Sequence, residues 1–161
     1  SLTQLDIGLS EFAATARSVW SDTVVLMVTE FGRTVPINGD GGTDHGVGTV
    51  ALLAGGAGAG GKELGDWPGL ARQDLVDDSD LRATTDLRAL FKGVLAEHVG
   101  TPRTTLDRVI FPESEHVAPM RGLVRNAGSS LESVRQASPS VGVASVRLPS
   151  GVARYRMMYP S

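Results

Sequence analysis

The sequence predicts an α/β fold, part of a mostly parallel sheet flanked by helices. Three observations predict it: apolar residues at helical spacing open the chain, two short apolar runs without polar alternation follow, and a second amphipathic helix comes after them. At 161 residues, with 41% apolar and 20% charged content, the chain has the composition of a single globular domain.

The elements follow in order. Leu2, Leu5, Leu9, Phe12, Ala16 and Val19 recur at alternating spacings of three and four, which predicts a helix with one buried stripe, weakened slightly by Gly8. The run "TVVLMVT" (23–29) is short, β-branched and unalternated, as a strand covered on both faces would be, and that points to a parallel sheet. Residues 30–48 carry too much glycine, proline and asparagine for a regular element, and "TVALLA" (49–54) reads as a second buried strand. The glycine cluster "GGAGAGG" (55–61) and the acidic "DLVDDSDL" (74–81) have loop composition. Leu87, Leu90, Phe91, Val94 and Leu95 then share one helical face, with Thr85 or Asp86 as N-cap, Gly100 just past the end and Pro102 as a stop. Residues 1–125 form the predicted α/β domain. Residues 126–161 show no sustained period and more arginine than acid, and read as an extension outside the core with the composition of a disordered segment.

The totals exclude several function classes. A net charge of −3 and a pI near 5.6 supply no basic field for nucleic acid or an anionic membrane. Cysteine is absent, so disulfides, thiolate metal sites and a cysteine nucleophile are excluded, and any metal must use His, Asp, Glu or Asn. The opening residues lack a basic region followed by an apolar one, and no run reaches about 18 apolar residues, so neither an export signal nor a membrane span is predicted within the chain. A start at Ser1 suggests a processed or partial chain.

The stretch "EFGRTVPINGDGGTDHG" (30–46) holds the candidate chemistry. In an α/β sheet, ligands gather beyond the carboxyl ends of strands, where Glu30 and the loop after it are expected. Asp44 and His45 could both reach a metal if the glycine-flanked backbone bends tightly, although an Asx-turn beside a solvated histidine explains the same residues. Glu30 needs a partner if buried, either a metal or an ion pair with Arg33, and Arg33 could instead grip a phosphate or sulfate with its fork.

Other motifs carry less. Gly56, Gly58 and Gly61 match G-x-G-x-x-G after a strand, but Gly65 and Pro68 break the helix that a dinucleotide site requires, leaving a turn. The acids from Asp74 to Asp80 fail the spacing of a calcium loop. His98 reads as a packed or dipole-stabilising residue and His116 as a surface-loop residue, and no G-x-S-x-G elbow occurs.

Taken together, "VTEFGRT", "NGDGGTDHG", "LLAGGA", "GDWPGL" and "LRATTDLRALFKGVL" resemble the bacterial domain of unknown function 1501 family across roughly residues 2–125. The resemblance implies the carboxyl-terminal portion of a longer, twin-arginine-exported, periplasmic protein, similar to the alkaline phosphatase and sulfatase superfamily in fold. It implies Glu30, Asp44 and His45 as ligands of a divalent metal (zinc, manganese or calcium), Arg33 as a catalytic cation, and Asp86 at the start of the closing helix. A small anionic ester is the implied substrate, with metal-assisted hydrolysis as the reaction. Phe31 stands where the superfamily has a histidine, and three ligands cannot close a two-metal site alone. The alternative is a non-catalytic member that binds a partner or glycan, with "EFGR" and "GGTDHG" as a hydrogen-bonded brace. A sheet of two recognised strands would need its edges covered by the remainder of the parent chain or by another protomer.

Overall fold

A computed structural model describes residues 2–125 and 142–146. Helix α1 (Leu2–Thr15) leads through a 3₁₀ turn at Trp20–Asp22 into strand β1 (Val25–Met27). Strands β2 (Gly32–Arg33), β3 (His45–Gly46), β4 (Thr49–Ala54) and β5 (Glu63–Leu64) follow, and then helix α2 (Leu87–His98). A helical turn, α3 (Arg103–Thr105), runs into a π turn at Leu106–Ile110, and β6 (Gly142–Val146) is the last described element.

The sheet corrects the predicted architecture. Four strands lie in the order β1-β4-β6-β5, and both long pairings are antiparallel: Val25 opposes Ala54 and Met27 opposes Leu52, while β6 runs from Gly142 opposite Leu53 to Val146 opposite Thr49. Among the described residues, only the two-residue contact of β5 with β6 is parallel. The mostly parallel, alkaline phosphatase-like sheet flanked by helices is therefore not what forms. The reason lies in the connection: a parallel neighbour needs a crossover, usually a helix, whereas residues 28–48 fold back on themselves and return β4 beside β1 in the opposite sense. An unalternated apolar run signals burial and says nothing about strand direction.

Helix α1 corrects a second expectation. It forms, but no stripe along it is buried: Leu5 is 38% exposed, Phe12 49% and, beyond its end, Val19 57%. Phe12 meets only the edge of Trp20 among the ring contacts, with centroids 6.2 Å apart. The periodicity that makes the helix amphipathic does not itself supply a surface to cover it.

Helix α2 forms where its local signals place it. Asp86 caps it, its carboxylate accepting from the Arg88 amide at 2.8 Å, and Gly100 adopts a left-handed φ of +74° as the chain leaves the helix. One face of α2 puts Leu87 and Leu90 against Ala51 and Leu53 of β4 and against Leu123, with Val24, Leu26, Phe91 and Val94 packed around them. Burying a leucine as completely as Leu90 contributes roughly 2–3 kcal/mol.

The opposite side of α2 is covered too. Residues 111–124 wrap around it, and at Gly93 they come close: a Cβ there would lie far inside contact distance of the Met120 carbonyl. Lys92 is fully buried beneath this wrap, donating to Asp107 at 2.5 Å and to the carbonyls of Ser114 at 2.6 Å and Val117 at 3.1 Å. Arg103 takes the other oxygen of Asp107 and reaches the Glu115 carbonyl at 2.7 Å. One turn on, the Glu97 carboxylate accepts three backbone amides, from Gly122, Leu123 and Val124, at 2.7 to 3.0 Å. Two charged residues of one helix thus hold a segment that has no regular structure of its own.

Candidate binding rim in the 30–48 hairpin

The stretch between β1 and β4 is a twisted antiparallel ribbon. Gly32 pairs with Gly46 and Arg33 with His45, and the Thr34 amide donates to the Asp44 carbonyl at 3.0 Å. A third extended segment joins it: Leu81 donates to the Arg33 carbonyl, Gly48 to Leu81, and Val35 to Ser79. The acidic stretch is part of this support. It turns sharply at Asp77 and Asp78, both left-handed, so that Asp80 returns opposite Val76 and Thr34.

Three glycines make the ribbon possible. A Cβ on Gly46 would stand 2.5 Å from the Arg33 carbonyl carbon, one on Gly48 would stand 2.5 Å from the Leu81 carbonyl oxygen, and one on Gly32 would overlap the Gly46 carbonyl. Each of these is closer than any real Cβ contact, so "EFGR" and "DHG" carry glycine because main chain touches main chain there.

Asn38 shapes the far end. Its side-chain oxygen accepts from the amides of Asp40 at 3.1 Å and Gly42 at 3.0 Å, while its nitrogen donates to Asp44 Oδ1 at 2.9 Å. The density of turn-forming residues announces the turn in the sequence, but the bond to Asp44 spans six residues and has no local signature.

Each predicted site residue has a definite place. Arg33 and His45 are register partners on adjacent strands, so both side chains leave the same face of the ribbon, and both are exposed. Arg33 spends one guanidinium nitrogen on the Thr43 carbonyl at 2.8 Å. His45 stacks on Phe31 with ring centroids 4.6 Å apart and planes 21° from parallel. Phe31, which stands where a histidine ligand is expected, is the ring that braces the imidazole. Asp44 is exposed and bonded to Asn38, and alternation along an extended chain sends its side chain to the face opposite that of His45. Glu30 is exposed before β2 and makes no ion pair with Arg33 among the described residues. Among the described residues, no three of His, Asp and Glu lie together as a metal cluster.

The remaining motifs are structural. Gly55 and Gly56 lie where a Cβ would overlap the Thr23 and Trp20 carbonyls, and the Gly56 and Ala57 amides donate to those same two carbonyls at 3.0 and 3.1 Å. The glycine cluster is a close-packed seam against the turn before β1. Asp86 is the helix cap: burial pushes its carboxyl up, but the bonds from Arg88 outweigh this and hold it below the ordinary 3.8.

A family model described as "Protein of unknown function (DUF1501)" matches residues 1–110, and the chain belongs to that family. The match takes in the whole hairpin, its support at 79–82 and helix α2. No curated protein and no solved structure matches the chain.

Proposed function

We propose that the 30–48 hairpin is the rim of a site for a small phosphate or sulfate ester in an exported, periplasmic protein of which this chain is the carboxyl-terminal portion. The observation that carries the reading is the Arg33–His45 pair, exposed side by side on a ribbon whose backbone three glycines lock. The free part of the Arg33 fork suits a tetrahedral oxyanion, and the imidazole, steadied by Phe31, offers a nitrogen to a divalent cation such as zinc, manganese or calcium. Glu30 would contribute a carboxylate oxygen once the remainder of the parent protein, or another protomer, completes the coordination, while Asp44, on the opposite face of the ribbon, stays bonded to Asn38. A cation bound there would supply the polarisation that metal-assisted ester hydrolysis needs, and Arg33 would offset developing negative charge.

The test is a titration of the full-length protein with zinc or manganese, alongside turnover of chromogenic phosphate and sulfate esters. His45→Ala lowers metal affinity by roughly tenfold or more, and Arg33→Ala lowers turnover with metal affinity intact. Unchanged metal binding in His45→Ala removes this residue from the site.

A second reading, a non-catalytic module that binds a partner or glycan, is favoured by one specific observation. Asn38 already occupies Asp44, and the Thr43 carbonyl already holds Arg33, as in a brace. Ester turnover that a chelator abolishes would rule this reading out.

A further inference from the structure

The sheet is completed by a segment from outside the family-matched residues. The match ends at residue 110, yet β6 lies between β4 and β5, pairing with β4 over five residues and with β5 over two. Among the described residues β6 is the only strand that β5 pairs with, and β4 has β1 on its other edge. The body reaches β4 without it: Ala51 and Leu53 are buried against Leu87, Leu90 and Leu123, which belong to residues 51–123. Remove β6, and β4 keeps its packed face but presents a row of unpaired main-chain groups along one edge.

We propose that this edge of β4 is a strand-addition site, and that Gly142–Val146 occupies it in cis as a tethered, separable ligand. Recognition is of the main chain: five consecutive register partners, Thr49–Val146 through Leu53–Gly142, supply a ladder for any extended segment that runs antiparallel to β4. The occupant has the sequence Gly-Val-Ala-Ser-Val, whose small and β-branched residues suit a strand flanked on both sides. Residues 126–141 join it covalently to the rest of the chain. Tethering also sets the competition, because a segment linked in cis meets its slot at an effective concentration of millimolar order. A free segment therefore binds only when the tethered one is disabled.

The full chain tests this with two measurements. Proline cannot sit in a strand paired on both sides, so Ala144→Pro disables β6 whichever neighbour its amide faces. A labelled peptide of residues 140–147 is then captured by the Ala144→Pro chain and not by the parent. The same peptide carrying proline at position 144 is captured by neither. Within Val50–Leu53, the alternate amides that point towards β6 exchange roughly tenfold faster in the variant and recover when the peptide is added, while those that point towards β1 do not change. Failure of the variant to capture the peptide overturns the proposal.

The second measurement does not depend on how the proline variant folds. Val50 and Ser145 are register partners, at the separation a disulfide spans, and the chain has no other cysteine. In Val50→Cys with Ser145→Cys, oxidised glutathione gives a disulfide within one chain. Persistent free thiols, or a bond only between chains, would show that the tail does not occupy its own slot.

Discussion

The two sides of this molecule solve the same problem with opposite materials. Around α2, a segment without regular structure is held by charge: Lys92 and Asp107 pair in the interior, while the half-buried Glu97 and the exposed Arg103 grip backbone at the margin. In the hairpin, the backbone is held by the absence of side chains, with Gly32, Gly46 and Gly48 letting strands touch. The first device hides the ammonium and the carboxylate at its centre. The second leaves Arg33 and His45 outside, where a ligand can reach them. Chemistry available to a partner is found where the fold rests on glycine, and the ion pairs shielded most from solvent serve architecture.

The largest break in this contrast is at Lys92. Lys92→Met leaves Asp107 with one cation, frees the Ser114 carbonyl and leaves that of Val117 with the longer bond from Arg103 alone, and the expected loss of unfolding free energy is roughly 3 kcal/mol, read by urea titration. The pH dependence sharpens it. Burial alone would raise Asp107, but Lys92 and Arg103 outweigh burial and hold it below 3.8. A lowered carboxylate contributes stability above its unfolded value and loses it as pH falls through the folded one, so the parent weakens below about pH 3.8. Lys92→Met flattens that acid limb, because the carboxylate keeps only Arg103. An unchanged acid limb would show that the buried ammonium does not set it.

Next comes the hairpin. Gly46→Ala forces the Arg33 backbone aside and costs about 1–3 kcal/mol, whereas Gly42→Ala, whose Cβ meets only Asn38 at 3.8 Å, stays near neutral. Equal melting temperatures for the two variants would refute the close crossing. The smallest effect has the opposite sign. Gly8→Ala in α1 meets nothing within 4 Å and raises stability by up to about 1 kcal/mol through helix propensity. A loss there would indicate that α1 is covered in solution.

What could be read from the sequence was local. The bounds of β4, the Asp86 cap and Gly100 were all accessible, because each signal lies within a few residues of its effect. Strand direction was not, since it depends on how residues 28–48 fold back. The burial of Lys92 was hidden for the same reason: its acceptors lie 15 to 25 residues away. At the candidate site the motif stretch was legible, and so was the alternative of a hydrogen-bonded brace between "EFGR" and "GGTDHG", but not its form as a paired ribbon. The glycines in it read as freedom to bend, when their use is to let two backbones meet. Phe31 was counted as a lost ligand and is a stacking partner. Of the extension, residues 142–146 lie in the sheet, and the remainder falls outside the described residues.

The enclosed ammonium has one more consequence. The chain has only two lysines, Lys62 on the surface and Lys92 inside. Amine-directed acylating reagents will mark Lys62 at once, whereas Lys92 stays silent until residues 111–124 lift from the helix. Labelling at Lys92 is a built-in clock for how often the wrap opens.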